Sequence, residues 1–107
     1  MRKLKFIVDS QTITADPSCD FEGLVPGTDG YLQAEFTFSS EWNNCVKVAS
    51  FYSALGKEYE PQILEDGKTC VIPKEALAKR VFKIRITGRN KESTIVTNKL
   101  AIRQEGV

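Results

Sequence analysis

The strongest constraint on the fold is the alternation of apolar and polar residues between Val81 and Gly88. Bulky apolar side chains occupy every second position and polar side chains occupy the others. The first set is Phe82, Ile84 and Ile86, and the second is Lys83, Arg85 and Thr87. Such an alternation predicts a β-strand with one buried face. A half-buried strand needs neighbouring strands, so the chain is expected to build a sheet.

Further segments of this kind recur along the chain and are separated by turn residues. Strands are predicted over 4–8, 31–38, 46–52, 58–64, 69–72 and 94–103. The first is expected at a sheet edge, where interleaved lysines limit unwanted pairing, and 12–14 is expected to continue it after a break. Weak alternation in 46–52 predicts burial on both faces or a bulge. Pro61 lacks an amide donor and places 58–64 at an edge.

One short helix is predicted over Pro73–Arg80, with proline at its start and basic residues in its last turn. About seven short strands and one connecting helix indicate an all-β, antiparallel sandwich. We therefore expect a single β-sandwich domain over residues 1–107. A five-stranded barrel of the OB type is the alternative, since it also inserts a helix between strands.

A long segment over 15–30 has no regular period and is predicted to be a loop. Loops of this length are uncommon in small domains and often have a function. The segment contains three large apolar residues, Phe21, Leu24 and Val25, which a merely solvated loop does not need. Either these residues pack onto the core, or they contact a partner.

The composition argues against several classes of function. Fifteen Lys and Arg residues balance fourteen Asp and Glu residues, so the net charge of +1 favours neither nucleic-acid nor membrane binding. No apolar run is long enough for a membrane span, and Asp9 to Gln11 interrupt any signal peptide. The protein is therefore expected to be made and kept in a cytoplasm, or assembled there.

The residues that usually carry catalysis and metal binding are sparse. The chain has no histidine, and its three cysteines, Cys19, Cys45 and Cys70, lie far apart. This pattern predicts free thiols in a reducing compartment. Phosphate-binding glycine motifs and nucleophile elbows are also missing from the sequence. We therefore predict a protein that is not an enzyme, with no catalytic residues, no cofactor and no metal.

From residue 41 onward, short motifs follow one another in an order that resembles a module of bacteriophage structural proteins. The series is Glu41-Trp42, Val48–Phe51, Cys70–Pro73, Pro73 with Glu75 and Leu77, Phe82–Gly88 and Ile95–Asn98. The resemblance covers about half of the chain and depends on the order and spacing of the motifs. It implies an immunoglobulin-like sandwich of the kind found at the start of baseplate upper proteins and fibres, and in small free-standing virion proteins.

The resemblance implies a structural protein of the virion, made in the cytoplasm of a bacterial host. No stalk or receptor-binding region follows the module in this sequence, so a capsid decoration or head auxiliary protein is favoured over a small tail or baseplate component. The expected partners are the major capsid protein or a tail or baseplate protein, and further copies of the chain. The candidate interface comprises Phe21, Leu24 and Val25 of the loop with Lys3 and Lys5, where 3–8 offers an edge for β-augmentation.

Two other classes of function remain open from the sequence. A carbohydrate- or peptide-binding module needs exposed aromatic residues, and the candidates are Trp42, Tyr31, Tyr52 and Tyr59. Trp42 is more simply a core residue that closes one end of the sheet. An OB-type nucleic-acid binder needs aromatic and basic residues on one face, whereas Phe82 and Lys83 fall on opposite faces.

Overall fold

The computed structural model describes residues 1–105 as two β-sheets packed face to face. Its strands are β1 (Arg2–Asp9), β2 (Thr12–Ala15), β3 (Leu32–Phe38), β4 (Val46–Ser53), β5 (Gln62–Ile63), β6 (Thr69–Val71), β7 (Val81–Arg89), β8 (Thr94–Val96) and β9 (Leu100–Arg103). A 3₁₀ turn spans Ser40–Trp42, and the one-turn helix α1 spans Lys74–Leu77. The predicted β-sandwich is confirmed, with nine strands in the described residues.

The two sheets differ in how their strands connect. Sheet A has the order β2-β1-β3-β6, and sheet B has the order β5-β4-β7, with β8 and β9 both paired to the far side of β7. The segment 94–103 is thus two strands that share one edge. The buried hydroxyl of Thr97 accepts a hydrogen bond from the Ile86 amide (3.0 Å) and donates one to the Asn98 carbonyl (2.8 Å). Between β8 and β9, the Thr97 hydroxyl thus takes the place of a backbone carbonyl as the acceptor for the Ile86 amide.

Strand β1 is not at a sheet edge, and that prediction is wrong. It lies between β2 and β3 and pairs with both. Residues 12–14 do not continue β1; they return beside it in a hairpin, turned at Ser10, whose φ is 53°. β1 and β3 run parallel, in register from Arg2 and Leu32 to Val8 and Phe38, so sheet A is mixed rather than purely antiparallel.

The parallel pair explains why the loop between β2 and β3 is long. β2 has already brought the chain back along β1, but β1 lies between β2 and β3, so no tight hairpin can join these two strands. Here the chain leaves β2 on one side of β1 and enters β3 on the other. The Arg2 amide donates to the Tyr31 carbonyl (2.9 Å) where the loop arrives. The predicted loop is confirmed, and its length follows from topology.

The core fills the space between the inner faces of the two sheets. The alternation predicted for β7 is confirmed, since Phe82, Ile84 and Ile86 are fully buried. Four aromatic rings extend the core in a chain of ring contacts, with centroid separations of 5.4, 6.0 and 5.3 Å. These rings belong to Phe6, Phe36, Phe38 and Trp42. The central strand β4 has four consecutive buried residues, Ala49–Tyr52, which agrees with burial on both faces.

Trp42 closes one end of the sandwich, as predicted for a core residue. Its side chain is 0% exposed, and its indole Nε1 donates to the Ser10 carbonyl (2.9 Å). The indole lies against the inner face of β7 at Gly88. A Cβ on Gly88 would approach Cζ3 of Trp42 to 2.7 Å. Glycine is therefore required at this position in β7 by packing, because a buried ring held by a hydrogen bond has little room to move.

Two other predicted segments are shorter than expected. The strand over 58–64 reduces to β5 at the edge of sheet B, as Pro61 indicated, with one isolated bridge between Tyr52 and Glu58. The helix over 73–80 forms only the single turn of α1. After β9, Gln104 is buried, and the last two residues, 106 and 107, lie outside the described part of the chain.

We expect Gly88→Ala to lower the free energy of unfolding by about 1–3 kcal/mol, because the added methyl overlaps the Trp42 ring. Urea unfolding followed by tryptophan fluorescence measures the change. Arg89→Ala is the matched control, since Arg89 is exposed on the same strand. Its effect should stay below about 0.5 kcal/mol. Equal stabilities for Gly88→Ala and the parent protein would contradict the packing argument.

The turn between β5 and β6 carries the chain from sheet B to sheet A. The Asp66 carboxylate accepts hydrogen bonds from the Thr69 hydroxyl (2.6 Å) and from the amides of Thr69 (2.7 Å) and Lys68 (2.9 Å). These bonds lower the pKa of Asp66 from 3.8 to about 2, and the bond from the Thr69 hydroxyl has the largest effect. The charged carboxylate therefore holds the turn.

Since the pKa of Asp66 is lower in the folded protein, its stabilising contribution is present above pH about 4 and is lost as the pH falls through about 2. We expect Thr69→Val to raise the pKa of Asp66 toward 3.8. An NMR titration of the Asp66 carboxyl group measures this directly. Thr14→Val, on an exposed position of β2, serves as the control. An unchanged Asp66 titration in Thr69→Val would rule out the hydroxyl as its main cause.

Candidate protein-interaction surfaces

The three apolar residues of the long loop occupy different environments. Phe21 is half-buried, and its ring packs edge-on against Phe6 at a centroid separation of 5.5 Å. Leu24 is only 2% exposed and belongs to the core, so its assignment to a partner interface is wrong. Val25 is 49% exposed and is accessible at the surface. The loop therefore packs onto the core through two residues and presents the third to solvent.

Lys3 and Lys5 point outward from sheet A. Lys3 forms an ion pair with Glu35 of the neighbouring strand, at 3.5 Å between Nζ and Oε1. Both sides of β1 are occupied, because the loop pairs with the part of β1 that β2 does not reach. The Lys5 amide donates to Cys19 Sγ (3.4 Å), and the Asp16 amide donates to the Lys5 carbonyl (3.0 Å). Residues 3–8 consequently have no free edge, and the β-augmentation predicted there is wrong.

The structure places a different set of apolar side chains on the surface, on the outer face of sheet B. One row of residues crosses three strand pairs in register. From edge to edge, the row is Ile63, Val48, Thr87 and Val96. Ile63 is 61% exposed, and Val46, next to the row on β4, is 64% exposed. We call this set, with Val46 included, the apolar face.

Part of the apolar face forms the floor of an open depression of about 820 Å³. Val46, Val48 and Thr87 lie in its floor, and the hairpin residues Asn90–Glu92 lie beside it. β-Branched side chains on paired strands are stiff, so the face has a fixed shape. The weak alternation of 46–52 predicts burial on both faces or a bulge. Burial on both faces holds for Ala49–Tyr52, whereas at the other end of β4 the outward-facing Val46 is exposed and Val48 is half-buried.

The other half of the outer face of sheet B is basic. It carries Lys83, Arg85, Lys99 and Arg103. Arg85 Nε donates to the Thr97 carbonyl (3.2 Å), and Lys99 Nζ lies 4.1 Å from the centre of the Tyr52 ring. These contacts hold two of the cations against the sheet. The apolar face and the basic half are therefore separate surfaces on one sheet.

The aromatic residues considered for sugar stacking are mostly unavailable to a ligand. Trp42 and Tyr52 are buried, and Tyr59 is half-buried against the core. Tyr31 is the exposed one of the four, at 51%. A stacking platform needs exposed rings beside one another, and these four residues do not provide it.

A second concave surface, of about 670 Å³, lies where β4 and β7 meet at the opposite end of sheet B. Leu55 projects beside it from the turn after β4 and is 99% exposed. Tyr59 and Val81 contribute further apolar surface, and three cations, Lys57, Lys79 and Arg80, complete the lining. We call this surface the Leu55 groove. No feature of the sequence predicts it, because its residues come from two separate segments, 53–59 and 79–81.

The three thiols differ in accessibility. Cys19 and Cys45 are half-buried, whereas Cys70 on β6 is buried, and burial raises the pKa of its thiol to about 12. Among residues 1–105, no three Cys, Asp or Glu side chains are placed to share a metal ion. The same residues include no helix long and apolar enough to cross a membrane.

A comparison with protein-family models, characterised proteins and solved structures finds no match to this chain. The resemblance of its motifs to those of phage structural modules therefore stays a prediction from the sequence.

We expect a maleimide to label Cys19 and Cys45 in the native protein well before Cys70, because the reactive thiolate of Cys70 is disfavoured and shielded. Mass spectrometry of peptides after timed labelling near pH 7 measures the order. Labelling in denaturant, where all three thiols are accessible, is the control. Rapid labelling of Cys70 under native conditions would contradict its burial in the core.

Proposed function

We propose that this chain is a non-enzymatic structural protein that acts by binding other proteins, and more specifically a component of a bacteriophage virion. A capsid decoration or head auxiliary role is favoured, and a small tail or baseplate role is the alternative within the same class. The observation that carries the binding role is the apolar face, where Val46 and Ile63 are more than half exposed on rigid paired strands.

The apolar face suits a protein contact for a physical reason. Burying a Val or Ile side chain that is otherwise exposed contributes about 1.5–3 kcal/mol, and little conformational freedom is lost when the backbone is already fixed by pairing. Val48 lies beside Ile63 and Val96 lies at the other end of the row, and these two half-buried residues extend the surface. A partner with a complementary apolar patch would therefore gain affinity without reshaping this protein.

The virion assignment is supported by the ordered series of motifs in the sequence. Several of those motifs serve the fold, because Trp42 closes the sandwich and Phe82 to Ile86 fill its core. A stable scaffold with contact surfaces on its outside is what an assembly protein requires. The expected partner is the major capsid protein, or a tail or baseplate protein in the alternative.

The apolar face predicts how particle binding responds to substitution. We expect the double variant Val46→Lys, Ile63→Lys to reduce the number of copies per purified particle about tenfold or more, because two desolvated contacts of about 1.5–3 kcal/mol each are lost. Quantitative mass spectrometry against the major capsid protein measures the copy number. Circular dichroism of the free variant verifies that the β-sandwich is retained.

The matched control is Thr14→Lys, Thr37→Lys, which adds the same charge to exposed positions on the outer face of sheet A. This control should bind particles like the parent protein. Copy numbers close to that of the capsid protein favour decoration, and far lower numbers favour the tail or baseplate. Absence of the parent protein from particles would refute the virion role. Parental binding by the Val46→Lys, Ile63→Lys variant would refute the apolar face as the contact.

A further inference from the structure

The Leu55 groove is built on a rigid frame. The turn that presents Leu55 is closed by hydrogen bonds from the Ser53 amide to the Lys57 carbonyl (2.8 Å) and from the Gly56 amide to the Ser53 carbonyl (3.0 Å). On the opposite wall, Gln104 Nε2 donates to the carbonyls of Leu77 (3.0 Å) and Lys79 (2.7 Å). Both walls are therefore fixed before any ligand arrives, which reduces the entropic cost of binding.

The lining of the groove carries positive charge. Its lining includes Lys57, Lys79 and Arg80, and no acidic residue. Across the described part of the chain, the one ion pair joins Lys3 to Glu35, so these three cations form none. Clustered cations around an apolar surface favour a partner that combines acidic and apolar groups.

The chain itself contains a segment with this chemistry. Residues 16–29 of the long loop include no Lys or Arg and carry four acidic residues, Asp16, Asp20, Glu22 and Asp29. The same segment exposes Val25, which is an apolar side chain of suitable size to contact Leu55. The loop therefore offers the charge and the apolar surface that the groove lacks.

The loop and the groove lie side by side at one end of the molecule. The Gly27 amide donates to the carbonyl of Leu77 in α1 (2.9 Å), two residues before Lys79. The loop is also held in place, because Arg2 Nη2 donates to the backbone carbonyls of Asp20 (2.9 Å) and Glu22 (2.7 Å). These bonds involve the backbone and not the two carboxylates. Two adjacent patches of opposite charge are self-complementary under a twofold rotation.

We propose that two copies of this chain associate through this end, with the acidic loop of each copy bound at the Leu55 groove of the other. Val25 of one copy covers the apolar surface near Leu55 of its partner, and the acidic side chains face Lys57, Lys79 and Arg80. The inference goes beyond the proposed function, since it concerns the protein alone and does not depend on a virion or on the apolar face.

The test uses reciprocal charge reversal in the whole protein, with sedimentation equilibrium to measure the dimer dissociation constant. One variant, Lys79→Glu, Arg80→Glu, reverses the groove, and the other, Glu22→Lys, Asp29→Lys, reverses the loop. The side chains of Glu22 and Asp29 make no hydrogen bond in the described structure, so the loop should keep its conformation. We expect each variant alone to dimerise about tenfold more weakly or worse.

Mixing the two variants in equal amounts should restore dimerisation. In the mixed dimer, the reversed groove meets the reversed loop and the parental groove meets the parental loop, so both contacts again join opposite charges. The control, Arg89→Glu, Lys91→Glu, makes the same change of charge at the far end of β7 and should dimerise like the parent protein. Raising the salt from about 0.05 M to about 0.5 M should weaken the parental dimer.

A parent protein that stays monomeric up to about 1 mM overturns the proposal. Dimers that persist unchanged in both charge-reversed variants also overturn it, since association then uses another surface. If both variants lose dimerisation but their mixture does not regain it, the pairing of loop with groove is refuted. Restored dimers in the mixture, with an unaffected control, establish it.

Discussion

The packing of Trp42 against Gly88 is the contact on which the closed end of the sandwich depends. The indole ring fills the space that a side chain at position 88 of β7 would occupy. Its Nε1 donates a hydrogen bond to the turn between β1 and β2. One residue thus joins the 3₁₀ turn, the β1–β2 hairpin of sheet A and strand β7 of sheet B. Because Phe38 packs on the same ring, the contact also links this end to the aromatic row of the core.

The parallel pairing of β1 with β3 determines which surfaces remain available for partners. It requires a long return loop, and that loop must satisfy the backbone groups of β1 that β2 leaves unpaired. Cys19 and Asp16 provide these bonds, while Phe21 and Leu24 anchor the loop in the core. An edge and a loop that looked free in the sequence are therefore mostly used within the fold. The outer face of sheet B and the acidic side of the loop are among the surfaces that remain exposed.

The apolar face and the Leu55 groove lie toward opposite ends of β7. Thr87 belongs to the first, and Val81 lines the second, so the strand separates them by most of its length. A contact at one therefore leaves the other accessible. The proposed particle contact and the proposed contact between two copies therefore do not exclude each other.

The sequence by itself determined the sandwich class, the inner residues of β7 and the burial of Trp42, because side-chain alternation and an isolated bulky aromatic report directly on local burial. It also located the long loop. The tertiary structure alone decided that β1 is internal, that Leu24 belongs to the core and that Gly88 faces an indole. Strand order and direction follow from contacts between residues far apart in the chain, and no local pattern encodes them. The Leu55 groove has the same origin, since its two walls meet only after both sheets have formed.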